Sequence, residues 1–385
     1  MNFKIRNLKI EDMYIILFFF SVILTQEIKN IINEKIGNNM LNYSFFEIII
    51  ILILFFMCKK KNIMNLYLIL AIFLINIISY VCNDIDKITI LRSIFTFFLP
   101  LCILTIEDSK LNVEYLLRKC LRMLQILIYF SLIYSIFQFI NGDILYGRRT
   151  GGIIGHPLTS AWYYVIYLAM SCIYCKYFND KDSVSISIDV LISILGITLS
   201  SGRIGLTIGI VLSLIYIETC MKSKLIKYIL LPLAIICFMF TPIVKELIWN
   251  KFSTTINNGD ITNGRLWALR EMNFFKIFPR IFTGNGIGYS NYISQYLFGT
   301  FNFENPIIMF SFDYGILTTV IMLIISIIKP IIKFIINKKY MLVLIFLCIQ
   351  IVPYTYNGLA ESTGLFMLLM FLSKFFSIIN YNMQK

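Results

Sequence analysis

Residues 245–305 read KELIWNKFSTTINNGDITNGRLWALREMNFFKIFPRIFTGNGIGYSNYISQYLFGTFNFEN, and a strongly apolar segment stands on either side of them. The interval holds six basic residues, Lys245, Lys251, Arg265, Arg270, Lys276 and Arg280, then a Gly-rich turn, and it ends in Glu304-Asn305. Outward from it in both directions, runs of 16 to 23 apolar residues recur along the whole chain. Crossing hydrocarbon takes about 20 helical residues at ~1.5 Å rise each. The interval is therefore a loop between membrane spans, and the chain is expected to be an all-α polytopic membrane protein that scaffolds it.

Composition supports the same fold class. Of 385 residues, 58% are hydrophobic and the mean hydropathy is +0.80, which excludes the two or three soluble domains this length would otherwise suggest. The formal net charge of +13 is dispersed through short loops instead of gathered on one polar face, which argues against a nucleic-acid partner. The nine cysteines lie mostly within or at the ends of apolar runs, where a thiol behaves as a small apolar group. Cys172 and Cys175 sit inside a helical segment without further ligands, so neither a disulfide framework nor a metal site is expected.

Hydropathy predicts twelve spans, at 13–25, 43–58, 62–82, 88–106, 120–140, 157–177, 184–200, 204–221, 225–244, 306–328, 340–356 and 359–380. The first follows a basic start and is short, a pattern shared with signal peptides, but no small-x-small cleavage motif follows and it counts as a helix. The chain thus divides into nine spans over 1–244, the loop 245–305 and three spans over 306–385. Lys and Arg separate between alternate loops. One set, which includes Lys4, Lys59, Lys60, Lys61, Arg118, Lys222, Lys329, Lys339 and Lys374, totals 21 of the 34 basic residues. Such residues are held preferentially on the cytoplasmic side, so both termini are expected there. The loops 141–156 and 245–305 and the turn at Arg203 then face outward. Cations on that face run against the orientation rule, and binding a negatively charged ligand accounts for them.

Within the long loop, a helix from Arg265 to Pro279 would put Trp267, Phe274 and Phe278 on one side. Arg265, Lys276 and Arg280 would lie opposite and Arg270 on a flank. It would rest in the outer interface with its cations turned to a ligand, or, on the competing reading, to headgroups alone. Next come Gly284, Gly286 and Gly288, with no βαβ unit around them, so a nucleotide loop is ruled out. Glycines so spaced suit a tight turn whose backbone approaches a ligand or a helix. In GRRTGGIIGHPLTSAW, Arg148 and Arg149 are adjacent guanidiniums suited to phosphate oxygens, and His156 is the only histidine of the chain. A titrating role for His156 competes with a helix-start residue that bonds backbone. Ser200-Ser201-Gly202-Arg203 holds Arg203 at the membrane surface, as an anion-binding or a snorkelling arginine. Asp313 lies about two turns down the tenth span, where an outer arginine is its expected partner; Asp189 is expected to be structural.

In order, these residues resemble the Wzy-type O-antigen and capsular polysaccharide polymerases, relatives of the O-antigen ligases, from roughly Arg148 to Gly315. The resemblance rests on Arg149 with His156-Pro157, on the Ser-rich turn carrying Arg203, and on a large loop with Arg265 and Trp267. It is completed by Gly284, Gly286 and Gly288 and by the dyad Glu304-Asn305, where relatives often carry His-Asn. It implies a metal-independent, cofactor-free, GT-C-like glycosyltransferase of about twelve spans in a bacterial inner membrane. The implied reaction moves a growing glycan from undecaprenyl diphosphate to a lipid-linked oligosaccharide repeat unit at the outer leaflet. Catalytic roles would fall to Glu304, His156, Arg203 and Arg265, with Glu304 and His156 both open as the base. Substrate contacts would fall to Arg148, Arg149, Arg270, Lys276, Arg280, Gly284, Gly286, Gly288, Asn305 and Asp313. Membrane lipids, a flippase and a chain-length regulator are the implied partners. The alternatives are a lipid-linked oligosaccharide flippase, against which stand uneven spans without an internal repeat, and an O-antigen ligase.

Overall fold

The computed structural model describes residues 9–36, 45–107, 111–142, 149–178, 182–200, 202–233, 236, 253, 265–297, 299 and 303–382. The fold is all-α; the extended pairing with both partners among the described residues is an isolated bridge between Lys61 and Ile106. Among the described residues, eight helices are long and apolar enough to cross a membrane: Ile63–Cys82, Lys87–Thr105, Val113–Asn141, Pro157–Tyr177, Ser183–Ser200, Arg203–Cys220, Ile316–Ile336 and Thr363–Asn382. Seven of them fall within a few residues of predicted spans. The other expectations need adjustment. The segment 13–25 is a helix, Ile10–Ile23, that bends at Leu24-Thr25 into Gln26–Ile36, and the bent pair makes a ninth candidate span. Segments 43–58 and 340–356 yield the shorter apolar helices Phe45–Met57 and Tyr340–Ile351, the latter tightening into a 3-10 turn at Val352–Thr355 around Pro353. Half of the span expected at 225–244 lies outside the described residues.

Local chemistry explains where helices begin and end. Side chains of Asn62, Asp86, Asn112 and Asn305 each accept a hydrogen bond from the first turn of the helix that follows, satisfying N–H groups that have no intrahelical partner. Pro157 opens its helix at a position where the missing N–H costs nothing. The Arg265 helix ends at Phe275, four residues before the expected Pro279. There Lys276 turns left-handed (φ 53°), its N–H bonds Asn273 C=O at 3.4 Å, and Ile277 N–H bonds Met272 C=O at 3.0 Å, closing a Schellman cap. Lys276, Phe278 and Arg280 therefore leave the helical face assigned to them from periodicity.

Pro157–Tyr177 is the central helix. Its membrane window is 94% buried, against 33% for Ile63–Cys82, and it is also among the least apolar of the eight spans. The two properties belong together, because a helix that meets protein on all sides can carry polar groups whose partners lie on its neighbours. Trp162 Nε1 donates to Ile349 C=O at 2.9 Å, and Tyr163 Oη donates to Ser21 C=O at 3.2 Å. Asp189, as expected of a structural carboxylate, accepts from Tyr167 Oη at 2.6 Å and Tyr216 Oη at 3.0 Å.

The predicted span 306–328 is broken. Pro306–Tyr314 stops at Gly315 (φ 88°, ψ 154°), a conformation that only glycine enters without strain, and Ile316–Ile336 starts afresh. The segment Arg280–Gly288 lies against the break and takes up its backbone groups. Asn285 N–H donates to Phe312 C=O (3.2 Å) and Gly286 N–H to Asp313 C=O (3.0 Å), while Ile316 and Leu317 N–H donate back to Arg280 and Ile281 C=O (3.0 and 2.8 Å). The chains cross so closely that a Cβ on Gly284 would stand 1.9 Å from the Asp313 carbonyl oxygen. Asp313 is consequently not a carboxylate deep in a continuous span awaiting an arginine. Its Oδ2 accepts from Gly288 N–H at 3.2 Å and its Oδ1 from Ser290 N–H at 2.8 Å. Tyr314, next to the break, stacks on Phe97 at 4.0 Å, and Phe97 stacks on Phe366 at 5.2 Å, tying three helices together. Gly284→Ala forces backbone apart here, so the expected cost is about 2–3 kcal/mol, the upper range for overpacking. Thermal unfolding of the purified protein in detergent checks this; a parental Tm contradicts the crossing.

Candidate functional site

Connectivity brings one set of helix ends together: Leu24–Lys29, Asn83–Thr89, Arg149–His156, Gly202-Arg203, Glu304–Pro306 and Tyr356–Ser362. His156 lines one cavity with residues of the Leu24–Lys29 and Tyr356–Ser362 ends. It precedes the central helix in extended conformation and its imidazole makes no capping bond to that helix. Instead the ring lies flat on Tyr356, with centroids 5.6 Å apart and planes 10° from parallel. Tyr356 is fixed in turn, its hydroxyl 3.0 Å from Thr159 Oγ1 one turn into the same helix.

Two charges reach His156, the Arg149 guanidinium from seven residues earlier in its own loop and the Glu304 carboxylate from far along the chain. Arg149 is positioned by its neighbours, since Thr150 N–H donates to Leu199 C=O at 3.1 Å and Gly152 N–H to Gln138 Oε1 at 3.0 Å. The first of these bonds draws the Arg149 segment to the helix end that precedes Arg203. Glu304 is held between two anchors. Phe303 is buried and stacks on Phe312 at 5.5 Å, and Asn305 Oδ1 accepts from Ile307 N–H (3.0 Å) and Ile308 N–H (3.4 Å). Burial depresses the His156 pKa below the usual imidazole value, the Arg149 cation depresses it further, and Glu304 opposes both. Burial and Arg149 thus favour the uncharged ring, with a cation and an anion within electrostatic reach.

Beside His156 opens a cavity of about 250 Å³. Lys29, Thr159, Tyr163, Tyr356 and Glu361 supply its polar lining. The Lys29 ammonium is 3.5 Å from Glu47 Oε1, both side chains almost wholly buried. Glu361 keeps an exposed edge, yet the packing around its carboxyl raises its pKa, partly offset by a hydrogen bond from Asn357. One cavity thus holds a histidine pushed down and a glutamate pushed up, a combination that concentrates at working sites. Sequence reasoning missed Lys29, Tyr356 and Glu361. The signal it had was slight: the polar Tyr356-Asn357-Gly358 and Glu361-Ser362 between two apolar runs, and a lone Lys29 after the first helix.

The remaining expected site residues separate into groups. Arg203 opens its helix at this same end, half-buried. Gly284, Gly286, Gly288 and Asp313 form the backbone crossing described above, so their first role is architectural. Arg280 Nη1 reaches Asn83 Oδ1 at 3.5 Å, and Arg270 and Lys276 are exposed. Arg265 starts its helix but its side chain, like Trp267's, lies outside the described residues, as does all of Arg148. Met272, Ile293, Phe303, Met309 and Phe312 build a small separate core, with Ala360 packed on it. That core couples the loop helix and Pro306–Tyr314 to the wall carrying Glu361. Among the described residues no group of three His, Cys, Asp or Glu side chains is arranged to hold a metal ion. Compared with protein-family models, curated proteins and solved structures, the chain matches none.

Because His156 is the only histidine, a histidine-labelled sample reports one ring. Its NMR titration in nanodiscs is expected to give a pKa below that of free histidine. Arg149→Gln should raise that value and Glu304→Gln lower it. Variants that leave it unmoved would show that the two charges do not meet at His156.

Proposed function

We propose that this chain is a GT-C-like membrane glycosyltransferase of the Wzy type, polymerising undecaprenyl-diphosphate-linked oligosaccharides at the outer face of a bacterial inner membrane. The observation that carries the reading is the convergence of Arg149, His156 and Glu304 at one end of the helices, beside a polar cavity. In the proposed reaction the acceptor hydroxyl oxygen bonds to the anomeric carbon of the donor glycan. The bond from that carbon to the diphosphate breaks, and its electron pair leaves with undecaprenyl diphosphate. The hydroxyl proton passes to a base. His156 suits that role because burial and Arg149 depress its pKa and favour the unprotonated ring, and Glu304 is the second candidate. The departing diphosphate gathers negative charge, and a preorganised guanidinium stabilises that charge in the transition state. Arg149 lies nearest this role, with Arg203 opening a helix at the same end.

The test is glycan length in cells lacking the chromosomal copy and complemented by wild type, Arg149→Ala, His156→Gln or Glu304→Ala, each checked for membrane expression. Removing one electrostatic donor costs on the order of 10²–10³ in turnover. Arg149→Ala is therefore expected to leave lipid-linked single repeats at normal expression. Single repeats trapped on the inner leaflet would mean a flippase, and long glycan retained on its lipid carrier would mean a ligase.

A further inference from the structure

At the opposite end of the helices a second cavity of about 250 Å³ opens. Lys60, Lys329, Lys333 and Lys374 line it, and Glu107 is the carboxylate among its described lining residues. Each cation has a local reason to be there. Lys60 precedes the N-cap Asn62 of Ile63–Cys82. Lys329 follows a π-helical turn, Ile324–Ile328, and is followed by Pro330, which cannot donate to the preceding turn. Lys329 Nζ donates to Asn62 Oδ1 at 3.2 Å and Asn65 Oδ1 at 2.5 Å, and Asn62 Nδ2 donates to Glu107 Oε1 at 3.1 Å. Lys333 and Glu107 both lie within electrostatic reach of Lys329. Lys374 is buried and donates to the Ile106 carbonyl.

Two of these lysines belong to the spans themselves. Lys329 lies seven residues before the end of its helix at Ile336, and Lys374 eight before Asn382. At ~1.5 Å per residue both start about 10–12 Å inside the helix ends. Lys60, Lys329, Lys333 and Lys374 thus gather between apolar walls that include Leu104, Ile325 and Ile378, and water screens their mutual repulsion poorly at that depth. A bound anion relieves it. On the same helix as Lys329 and Lys333, Ile328, Ile332 and Ile335 form an exposed apolar ridge suited to acyl chains. The end concerned is the one to which the distribution of lysines assigns the cytoplasm.

We propose that this cavity binds the phosphate of an anionic glycerophospholipid headgroup, its chains lying along the isoleucine ridge. Lysines act on phosphate as point charges and need no fixed fork geometry, which suits a headgroup that arrives from the bilayer. The site is independent of the His156 cavity at the other end.

The experiment is lipid titration of the full-length protein in phosphatidylcholine nanodiscs doped with phosphatidylglycerol, read as apparent affinity by native mass spectrometry. Lys60→Gln with Lys333→Gln removes two exposed cations of the cavity and is expected to weaken phosphatidylglycerol retention about 30-fold, at roughly a factor of five per lysine. Arg118→Gln with Lys224→Gln removes equal charge at the same end outside the cavity and is expected to change retention less than twofold. Equal losses in the two double variants overturn the site in favour of diffuse surface attraction. Inorganic phosphate that displaces no lipid at millimolar concentration supports the lipid assignment; stoichiometric phosphate binding that displaces it overturns that assignment.

Discussion

A helix interrupted in or near hydrocarbon is tolerated only when the backbone groups released by the interruption find partners within the protein. In this chain the interruption is at Gly315, and the partner is the segment Arg280–Gly288. Four backbone hydrogen bonds join them, and the Asp313 carboxylate accepts from Gly288 at the end of that segment and from Ser290 just past it. Glycine is required on both sides, at Gly315 for its backbone angles and at Gly284 for the close approach. Much of the candidate site follows from this crossing. It fixes Pro306–Tyr314, which holds Glu304 at its entrance through Phe303 and Asn305. It also seats the small core on which Ala360, neighbour of Glu361, is packed.

The second constraint is the buried position of Pro157–Tyr177. Because protein surrounds this helix, it carries hydroxyls and an indole that lipid would not accept, and they bond to helices from both ends of the sequence. Its first residue follows His156 directly. The histidine is thereby placed at the meeting point of the chain's N-terminal helices, its middle and its last span. A group so placed senses Arg149 from its own loop and also Glu304, which neither its loop nor its helix could bring to it.

Hydropathy made the spans legible, since an apolar run of sufficient length has few other uses. It was blind at Gly315, because one glycine scarcely alters the mean of an apolar window while it changes the path of the backbone completely. The end of the Arg265 helix was illegible for a different reason. Its left-handed cap falls on Lys276, which lacks the glycine signature that marks most such ends. Arg149, His156 and Glu304 were each readable as candidates from residue type and loop position. Lys29 and Glu361 were not, since the cavity they share is closed by segments more than 300 residues apart and leaves no pattern in either one. The reading of Asp313 as a partner for arginine failed because carboxylates also satisfy backbone N–H groups, which a sequence does not display.

The proposed activity on lipid-linked glycans rests on the end of the helices where Arg149, His156 and Glu304 meet. It is tested most directly by reconstituting the purified chain alone in proteoliposomes with a synthetic polyprenyl-diphosphate-linked repeat unit. The predicted result is a ladder of lipid-linked polymers, with one polyprenyl diphosphate released per linkage formed. Unchanged substrate, or substrate moved across the bilayer without a new glycosidic bond, would contradict it.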